Sequence, residues 1–557
     1  MIRRTLKTLS KIAWFIPAFL LWASYPPIGE RTDVFFALAP LIWFARNRTP
    51  RESFRLWFLN GFLFWSGTLA WMPAIVKNGG PWHLVVLGWG ALAAYCALYF
   101  GLFGFLSSRI WQKTGGVYWK RLLAIFVAEP VLWAGLELLR SRLMGGFAWN
   151  HLGVAAVNSG FGAGASLAGV YLLSAMIVLV NGTFASIAER MLKPWMDARK
   201  RVLELGGETL TLDAPAEGEP PRRREGALRY LRSVETVLPF IVVWGVHTAG
   251  SDHASFSPDG DSRVLTVALV QRNFPCVFKS AEKNPIEVYE KLLGSAAPFS
   301  PDLVVLPESA FCEFSLFGTP RGTATADWML KTADAKALLA GGSRINADKE
   351  LFNSAALYGR TSSGMVDEQI YDKVHLVPFG EYIPGDKLIP ALKKFAPVGS
   401  CSPGEPKLLD FNGFKLGVAI CFEDTDSQLV RKFADMGADA LIFITNDSWF
   451  YGSEETEQHA WQAVARAVET GLPVIRVGNS GVSGVIYPDG TSHWLEGDKK
   501  GELLIDEAGC GYAKVMLPKK DSQSKTPYTR FGDIPLTVLF VLVLSSAFLK
   551  FSFHRKK

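Results

Sequence analysis

At 557 residues the chain is too long for one ordinary domain. It is 49% hydrophobic and 13% aromatic, with 18 Trp and 38 Phe, a bias seldom met in water-soluble domains, so bilayer-spanning segments are the first expectation. The net charge of +6 is modest and clustered in loops, and no basic stripe with interleaved aromatics offers a base-stacking surface, which argues against nucleic acid as a partner.

A span needs ~20 mostly apolar residues. Stretches of that kind lie at about 12–27, 32–46, 54–76, 82–108, 121–139, 165–188 and 234–250, with an eighth at about 533–552. The organisation expected is therefore a membrane domain over 1–250, a polar domain over 262–516 and a last span at 533–552. Arg3, Arg4 and Lys7 precede the first span, but no small-x-small cleavage site follows it, so it reads as an uncleaved helix rather than a signal peptide. Arg46, Arg48, Arg51 and Arg55 lie between the second and third spans, and Arg109, Lys113, Lys120 and Arg121 between the fourth and fifth. The sixth-to-seventh connection, at about 193–232, is the most basic and reads as a flexible loop. By the positive-inside rule both termini face the cytoplasm, and the 262–516 segment faces outward. Glu129 and Glu137 are intramembrane carboxylates, and Glu137 and Arg140 are spaced for a pair on one helix face.

The 262–516 segment alternates apolar runs with helical periodicity, which predicts an α/β domain. Strands are expected at Leu265–Gln271, Leu303–Leu306, Ala337–Gly342, Phe352–Tyr358, Met365–Asp372, Lys415–Cys421, Ala440–Asn446 and Pro473–Gly478. Helices are expected around 283–294, 323–335, 427–437 and 456–470.

Three of these strands deliver reactive side chains at their ends: Glu308, Lys373 and Cys421. A carboxylate can take a thiol proton and an ammonium can stabilise the thiolate, so the set is a candidate catalytic triad. Cys421 is followed by Phe422-Glu423-Asp424, an acidic run that marks a cleft rather than a core. None of the six cysteines forms a C-x-x-C pair, so neither a zinc site nor a redox motif is expected. Cys276, Cys312, Cys401 and Cys510 share the polar domain, and sequence does not assign their pairing. His459 sits at a helix start and reads as structural.

Leu306-Pro307-Glu308-Ser309, Tyr371-Asp372-Lys373 and Ile420-Cys421-Phe422-Glu423 resemble the motifs of the nitrilase, or carbon–nitrogen hydrolase, superfamily in order and approximate spacing. His375-Leu376-Val377-Pro378-Phe379-Gly380-Glu381-Tyr382-Ile383-Pro384, Thr445-Asn446-Asp447-Ser448-Trp449-Phe450 and Gly146-Phe147-Ala148-Trp149 resemble its membrane-embedded branch, the apolipoprotein N-acyltransferases. The resemblance implies about eight transmembrane helices plus an α/β nitrilase-like αββα sandwich. It implies an inner (cytoplasmic) membrane enzyme with a periplasmic catalytic domain, acting as a monomer without cofactor or metal. Its substrates would be a phospholipid acyl donor and a diacylglyceryl apolipoprotein acceptor, joined through a thioester on Cys421. Glu308 would be the base and Lys373 an oxyanion stabiliser, with Glu381, Glu423 and Phe422 in support. Asn446, Trp449, Phe450, Tyr382 and Trp149 are candidate substrate-pocket residues. Phe422 stands where the best-known members carry tyrosine, and Ala148 where proline is common. A membrane-tethered amidase acting on a small C–N substrate, or a catalytically silent lipid-binding scaffold, remains the rival reading.

Overall fold

Alternating apolar residues build two six-stranded sheets in the polar half of the chain. Their coordinates come from a computed structural model that describes residues 13–204, 224–254, 263–274, 285–311, 317–360, 366–385, 401–517 and 525–549. The first sheet joins β1 (Arg263–Gln271), β2 (Leu303–Val305), β3 (Ala337–Ile345), β4 (Leu351–Arg360), β5 (Val366–Asp372) and β12 (Gly509–Leu517), in the order β12-β1-β2-β3-β4-β5. The second joins β6 (Leu408–Phe411), β7 (Phe414–Ile420), β8 (Ala440–Thr445), β9 (Val474–Gly478), β10 (Gly484–Ile486) and β11 (Ser492–Trp494), in the order β11-β10-β9-β8-β7-β6. Each has three parallel central strands, β1-β2-β3 or β7-β8-β9, flanked by antiparallel ones.

The period of two divides the core. Leu265, Val267 and Leu269 of β1 pack with the second sheet's Leu416 and Val418, whereas Ala268 and Val270 pack under Leu292, Leu293, Met329 and Leu330 of helices Pro285–Ala296 and Pro320–Thr332. Helices Ser427–Asp435 and Glu455–Thr470 cover the second sheet. The eight expected strands are present within a few residues of their expected ends. β6, β10 and β11 were not expected, being three or four residues long and too short for alternation to register. β12, a Gly-containing edge, was missed because it is defined by nine antiparallel pairs to β1 rather than by its own pattern.

In the membrane half, four helical stretches are long and apolar enough to cross a bilayer among the described residues: Pro50–Asn78, Trp82–Lys113, Tyr118–Arg140 and Leu152–Leu192. The expected spans at 12–27 and 32–46 appear as helices Ile16–Ala23 and Ala39–Arg46 of eight residues each. At 1.5 Å per residue each covers about 12 Å of a ~30 Å core. The last expected span is the fifteen-residue helix Ile534–Phe548, docked with Phe540 against Gly135, where an added Cβ would meet the ring at 2.0 Å. The 165–188 span is interrupted at Ala168 and Gly169.

Two further expectations are corrected. The basic 193–232 connection is not loop throughout: helix Ala165–Glu204 runs into it and helix Arg224–Ala254 begins within it, while 205–223 lies outside the described residues. Arg, Lys, Leu, Met and Ala are strong helix formers, and extending an existing helix avoids the cost of nucleation. Arg46 is not a loop charge but a buried partner of Glu129, at 2.5 Å, with Ser107 donating to the same carboxylate at 2.7 Å. Nor do Glu137 and Arg140 pair: Glu137 accepts the Leu152 N–H at 3.0 Å, and Arg140 donates to the carbonyls of Phe147 and Trp149 at 2.7 and 3.0 Å.

Polar contacts join the halves. Every residue of helix Glu455–Thr470 except Glu457 is buried, and several of its polar side chains meet the backbone and amides of the membrane half. Gln458 accepts from the Trp149 indole and the Asn150 amide at 2.9 Å each and donates to the Pro26 carbonyl at 3.0 Å. Glu469 accepts the Val170 N–H at 2.8 Å, and Asn78 donates to the Trp449 carbonyl at 2.7 Å.

Candidate active site

The three sequence-nominated residues follow β2, β5 and β7, at corresponding ends of the two sheets. Lys373 is 1% exposed, and its ammonium lies 2.9 Å from Glu381 and 3.9 Å from Glu308. Asn353, near the start of β4, ties the two carboxylates together by donating to Glu308 Oε1 and Glu381 Oε1 at 2.7 Å each. Its carbonyl accepts the Lys373 N–H at 2.8 Å. Glu381 also accepts the Val377 N–H at 2.8 Å, which folds the intervening loop back on itself.

Burial and charge act against each other here. Burial would lower the Lys373 pKa, but Glu381, Glu308 and Cys421 raise it above the usual lysine range, so the ammonium persists. Burial raises the Glu308 pKa, Lys373 pulls it back, and Glu381 adds to the rise. Burial and the Glu308 charge push the Cys421 thiol well up, with Lys373 opposing. Cys421 is thus held as a thiol beside a carboxyl whose proton affinity is also raised, an arrangement that suits proton transfer between them better than a standing thiolate.

Cys421 opens the tight turn Cys421–Thr425 with φ +54°, a left-handed conformation rare outside glycine and concentrated at functional sites. Glu423 holds that turn to the lysine loop. It is fully buried and accepts from Ile420 N at 2.8 Å, Val374 N at 2.7 Å, His375 N at 3.0 Å and the Tyr371 hydroxyl at 2.9 Å. One carboxylate therefore fixes the backbone just before Cys421 and just after Lys373. Burial pushes its pKa up to about 7, against Lys373 and the three N–H donors.

Of the pocket candidates, Phe450 meets the membrane half's Trp71 edge-on at 4.7 Å, and the Trp449 carbonyl is the acceptor for Asn78 noted above. The Tyr382 hydroxyl lies close to Gly145, where a Cβ would stand 3.0 Å from it. Asn446 is instead held in a knot, accepting from Ser448 at 2.6 Å and Asn479 at 2.8 Å. Trp149 is buried between Trp71 and His459, each 5.5 Å from its ring centre. Phe422 stacks on Phe147 at 6.2 Å and 20°, bringing a membrane-half ring against the residue that follows Cys421.

His459 is buried with Asp424 and Asp447 at 3.0 Å on its two ring nitrogens, and Arg476 bridges the same aspartates at 2.7 and 3.3 Å. Asp447, Glu455 and His459 lie close enough to share a cation. The imidazole and guanidinium already supply positive charge there. Burial would lower the His459 pKa, but the aspartates hold it at about 10. A histidine raised in the fold contributes stability fully present below its unfolded value near 6.5 and lost as pH rises through about 10. His459→Leu leaves two buried aspartates short of a counter-charge and is expected to cost on the order of 3 kcal/mol. Thermal unfolding in detergent checks this: the variant's deficit should be constant below about pH 6.5, shrink as pH rises from there to about 10, and be smallest above it.

Asn353 and Tyr371 escaped the sequence reading. Asn353 breaks the apolar run Leu351–Tyr358, a signal that a polar residue in a buried strand has a partner. Tyr371 carried no such signal, since aromatics are ordinary in strands. Cys401 and Cys510 are free thiols, and Cys276 and Cys312 lie outside the described residues.

Residues 17–183 match the family model for the apolipoprotein N-acyltransferase N-terminal domain, and residues 266–505 match that for carbon–nitrogen hydrolase. The chain is 29% identical over 527 residues to the apolipoprotein N-acyltransferase of Geobacter metallireducens, covering 92% of this chain and 90% of that protein. It is 25% identical over 556 residues to that of Photobacterium profundum, covering 96% and 94%. Among solved structures, an amidase from Nesterenkonia sp. aligns at 19% identity and a TM-score of 0.34, over 46% of this chain and 93% of the amidase.

Proposed function

This chain belongs to the apolipoprotein N-acyltransferase family, and on that premise we propose a two-step acyl transfer by Glu308, Lys373 and Cys421 at a bilayer surface. The protein N-acylates lipoproteins. Its phospholipid donor and diacylglyceryl-cysteine acceptor meet at a domain packed on apolar helices. We place both termini in the cytoplasm, the catalytic domain in the periplasm and eight segments in the membrane, counting the short helices and Arg224–Ala254. We take the working unit to be a monomer.

In the first step Cys421 Sγ attacks the carbonyl carbon of a phospholipid acyl ester while Glu308 takes the thiol proton. The oxyanion is stabilised by the Lys373 ammonium and by backbone N–H groups of the nucleophile turn. Collapse breaks the ester C–O bond, Glu308 returns its proton to the departing glyceryl oxygen, and a thioester remains. In the second step the α-amino nitrogen of the acceptor attacks the thioester carbonyl. Glu308 takes the ammonium proton that develops and passes it to the leaving thiolate, so an amide forms and Cys421 is restored. Thioester to amide runs downhill, and each proton taken is returned, so the cycle balances without a further reactant. Glu381 holds the ammonium in place, and Glu423 sets the separation of the lysine loop and nucleophile turn.

The observation that carries a lipid donor over a small amide is the stacking of Phe422, next to the nucleophile, on Phe147 of the membrane half. A hydrolase for a soluble amide would not need its nucleophile turn against membrane-embedded rings. The test is purified protein in detergent incubated with phospholipid and digested for mass spectrometry. The expected result is a hydroxylamine-sensitive acyl mass on the Cys421 peptide that disappears when a diacylglyceryl lipopeptide is added, with the lipopeptide gaining the chain. Release of free fatty acid with no lipopeptide acylation would convert the reading to a hydrolase.

A further inference from the structure

Two residues beyond Lys373, His375 makes two contacts of a kind that a neutral imidazole cannot make together. Its Nδ1 lies 3.2 Å from Asp426 Oδ2 and its Nε2 lies 2.7 Å from the Gly145 carbonyl. Both partners only accept, and a neutral ring donates from one nitrogen only, so the two bonds coexist only in the imidazolium.

The partners belong to different parts of the molecule. Asp426 caps helix Ser427–Asp435 directly after the nucleophile turn, accepting from Gln428 N at 3.0 Å. Gly145 belongs to the connection that follows membrane helix Glu129–Arg140. In that connection Met144, Gly145 and Gly146 all have positive φ, at 57°, 90° and 77°, a backbone shape costly for Met144 and in need of external restraint. Arg142 adds a second tie, 3.5 Å from Asp426 and 2.9 Å from Asp533. Immediately beyond, Phe147 stacks on one side of Phe422, and the His375 ring meets Phe422 edge-on at 5.6 Å and 87°. The residue after the nucleophile is thus held between a ring from the membrane half and the histidine that ties that half down.

We propose that His375 is a positioning residue: by donating in two directions it locks the Arg142–Phe147 connection onto the nucleophile turn and so sets Phe422 and Cys421 for acylation. The lock rests on the acyl-transfer reading above. The charged groups around His375 are Asp426 and Glu423 from the nucleophile segment, Arg142 with Asp533 behind it from the membrane side, and Lys373 and Glu381 from its own loop. Burial would lower the His375 pKa, but Asp426 outweighs it and raises the value above 6.5. The lock is therefore complete below about pH 6.5 and lost as pH rises through the higher folded value. That dependence is opposite in sign to thiol ionisation, which favours attack as pH rises.

The test is single-turnover acylation of Cys421 by phospholipid, followed by mass spectrometry from about pH 6 to 10, in the full-length wild type, His375→Gln and Asp426→Asn. Wild type should show a limb descending with pH. His375→Gln should react on the order of ten-fold slower at pH 6, a loss in the range expected for a slightly misplaced reacting group, with that limb absent. Asp426→Asn should move the limb to lower pH, which keeps the proposal testable if His375→Gln fails to fold. A His375→Gln rate equal to wild type at every pH overturns the lock. So does a uniform loss with the limb retained, because that describes a merely structural side chain. If the wild type itself forms no thioester, the acyl-transfer reading fails instead.

Discussion

Cys421→Ala is expected to eliminate the hydroxylamine-sensitive acyl-enzyme and to lower acyl transfer to a lipopeptide on the order of 10⁴-fold or more, as removal of a covalent nucleophile does elsewhere. Among the described residues no nearby group can replace it. Glu308 and Lys373 are buried and bonded to each other's partners, and Cys401 belongs to a separate strand bridge. Cys421→Ser should also fail, since a hydroxyl has a far higher proton affinity than a thiol and an ester is a poorer acyl donor to an amine than a thioester. Stability should hardly change: the side chain is half-buried and alanine carries the same backbone strain at φ +54°. Thermal midpoint and gel-filtration profile in detergent should therefore stay at wild-type values. Full transfer by Cys421→Ala would sink the covalent mechanism; loss of the folded peak would mean that the turn itself depends on the thiol.

Glu423→Ala is expected to have the largest effect on the fold of the site. Removing the carboxylate leaves the N–H groups of Val374, His375 and Ile420 and the Tyr371 hydroxyl without their acceptor in a buried region. Each orphaned donor costs ~1–3 kcal/mol, so a loss of about 3–5 kcal/mol is expected after relaxation. Glu423→Gln is no rescue, because its NH₂ would face at least one backbone N–H. Both variants should also lose acylation, since the lysine loop and nucleophile turn are no longer held at a common spacing. In wild type, a carboxyl raised to about 7 makes stability fall as pH rises from its unfolded value near 4.5 through about 7, and both variants should lack that slope. Denaturant unfolding followed by catalytic-domain tryptophans measures the loss; wild-type stability in Glu423→Ala would remove the hub role.

The same carboxylate illustrates what could be read ahead of the structure. Glu308, Lys373 and Cys421 could be nominated because each stands at the end of an apolar run, where a reactive side chain has no packing reason to be, and the fold gathers them. The strands themselves were legible because burial on two faces makes short apolar runs, and the helices because one covered face repeats at 3.6. Helix Glu455–Thr470 was found but its setting was not. Its Gln458, Gln462 and Glu469 are buried against the membrane half, and its Arg466 is buried on the Thr425 carbonyl. Polar side chains look alike in sequence whether water or a folded backbone satisfies them.

The order of residues determined by itself that the chain has an apolar half and an α/β half, where most strands begin and end, and which three side chains stand as candidates at strand ends. These follow from local periodicity and from reactive groups at element ends, and both are properties of short windows. Only the tertiary structure decided that Asn353 bridges Glu308 and Glu381, that Glu423 clamps two loops 49 residues apart, and that Arg46 neutralises Glu129. It alone placed Phe147 on Phe422 and Gly145 on His375. Each of these is a contact between remote segments, chosen by which buried donor finds which acceptor once water is excluded, and no local pattern encodes that choice.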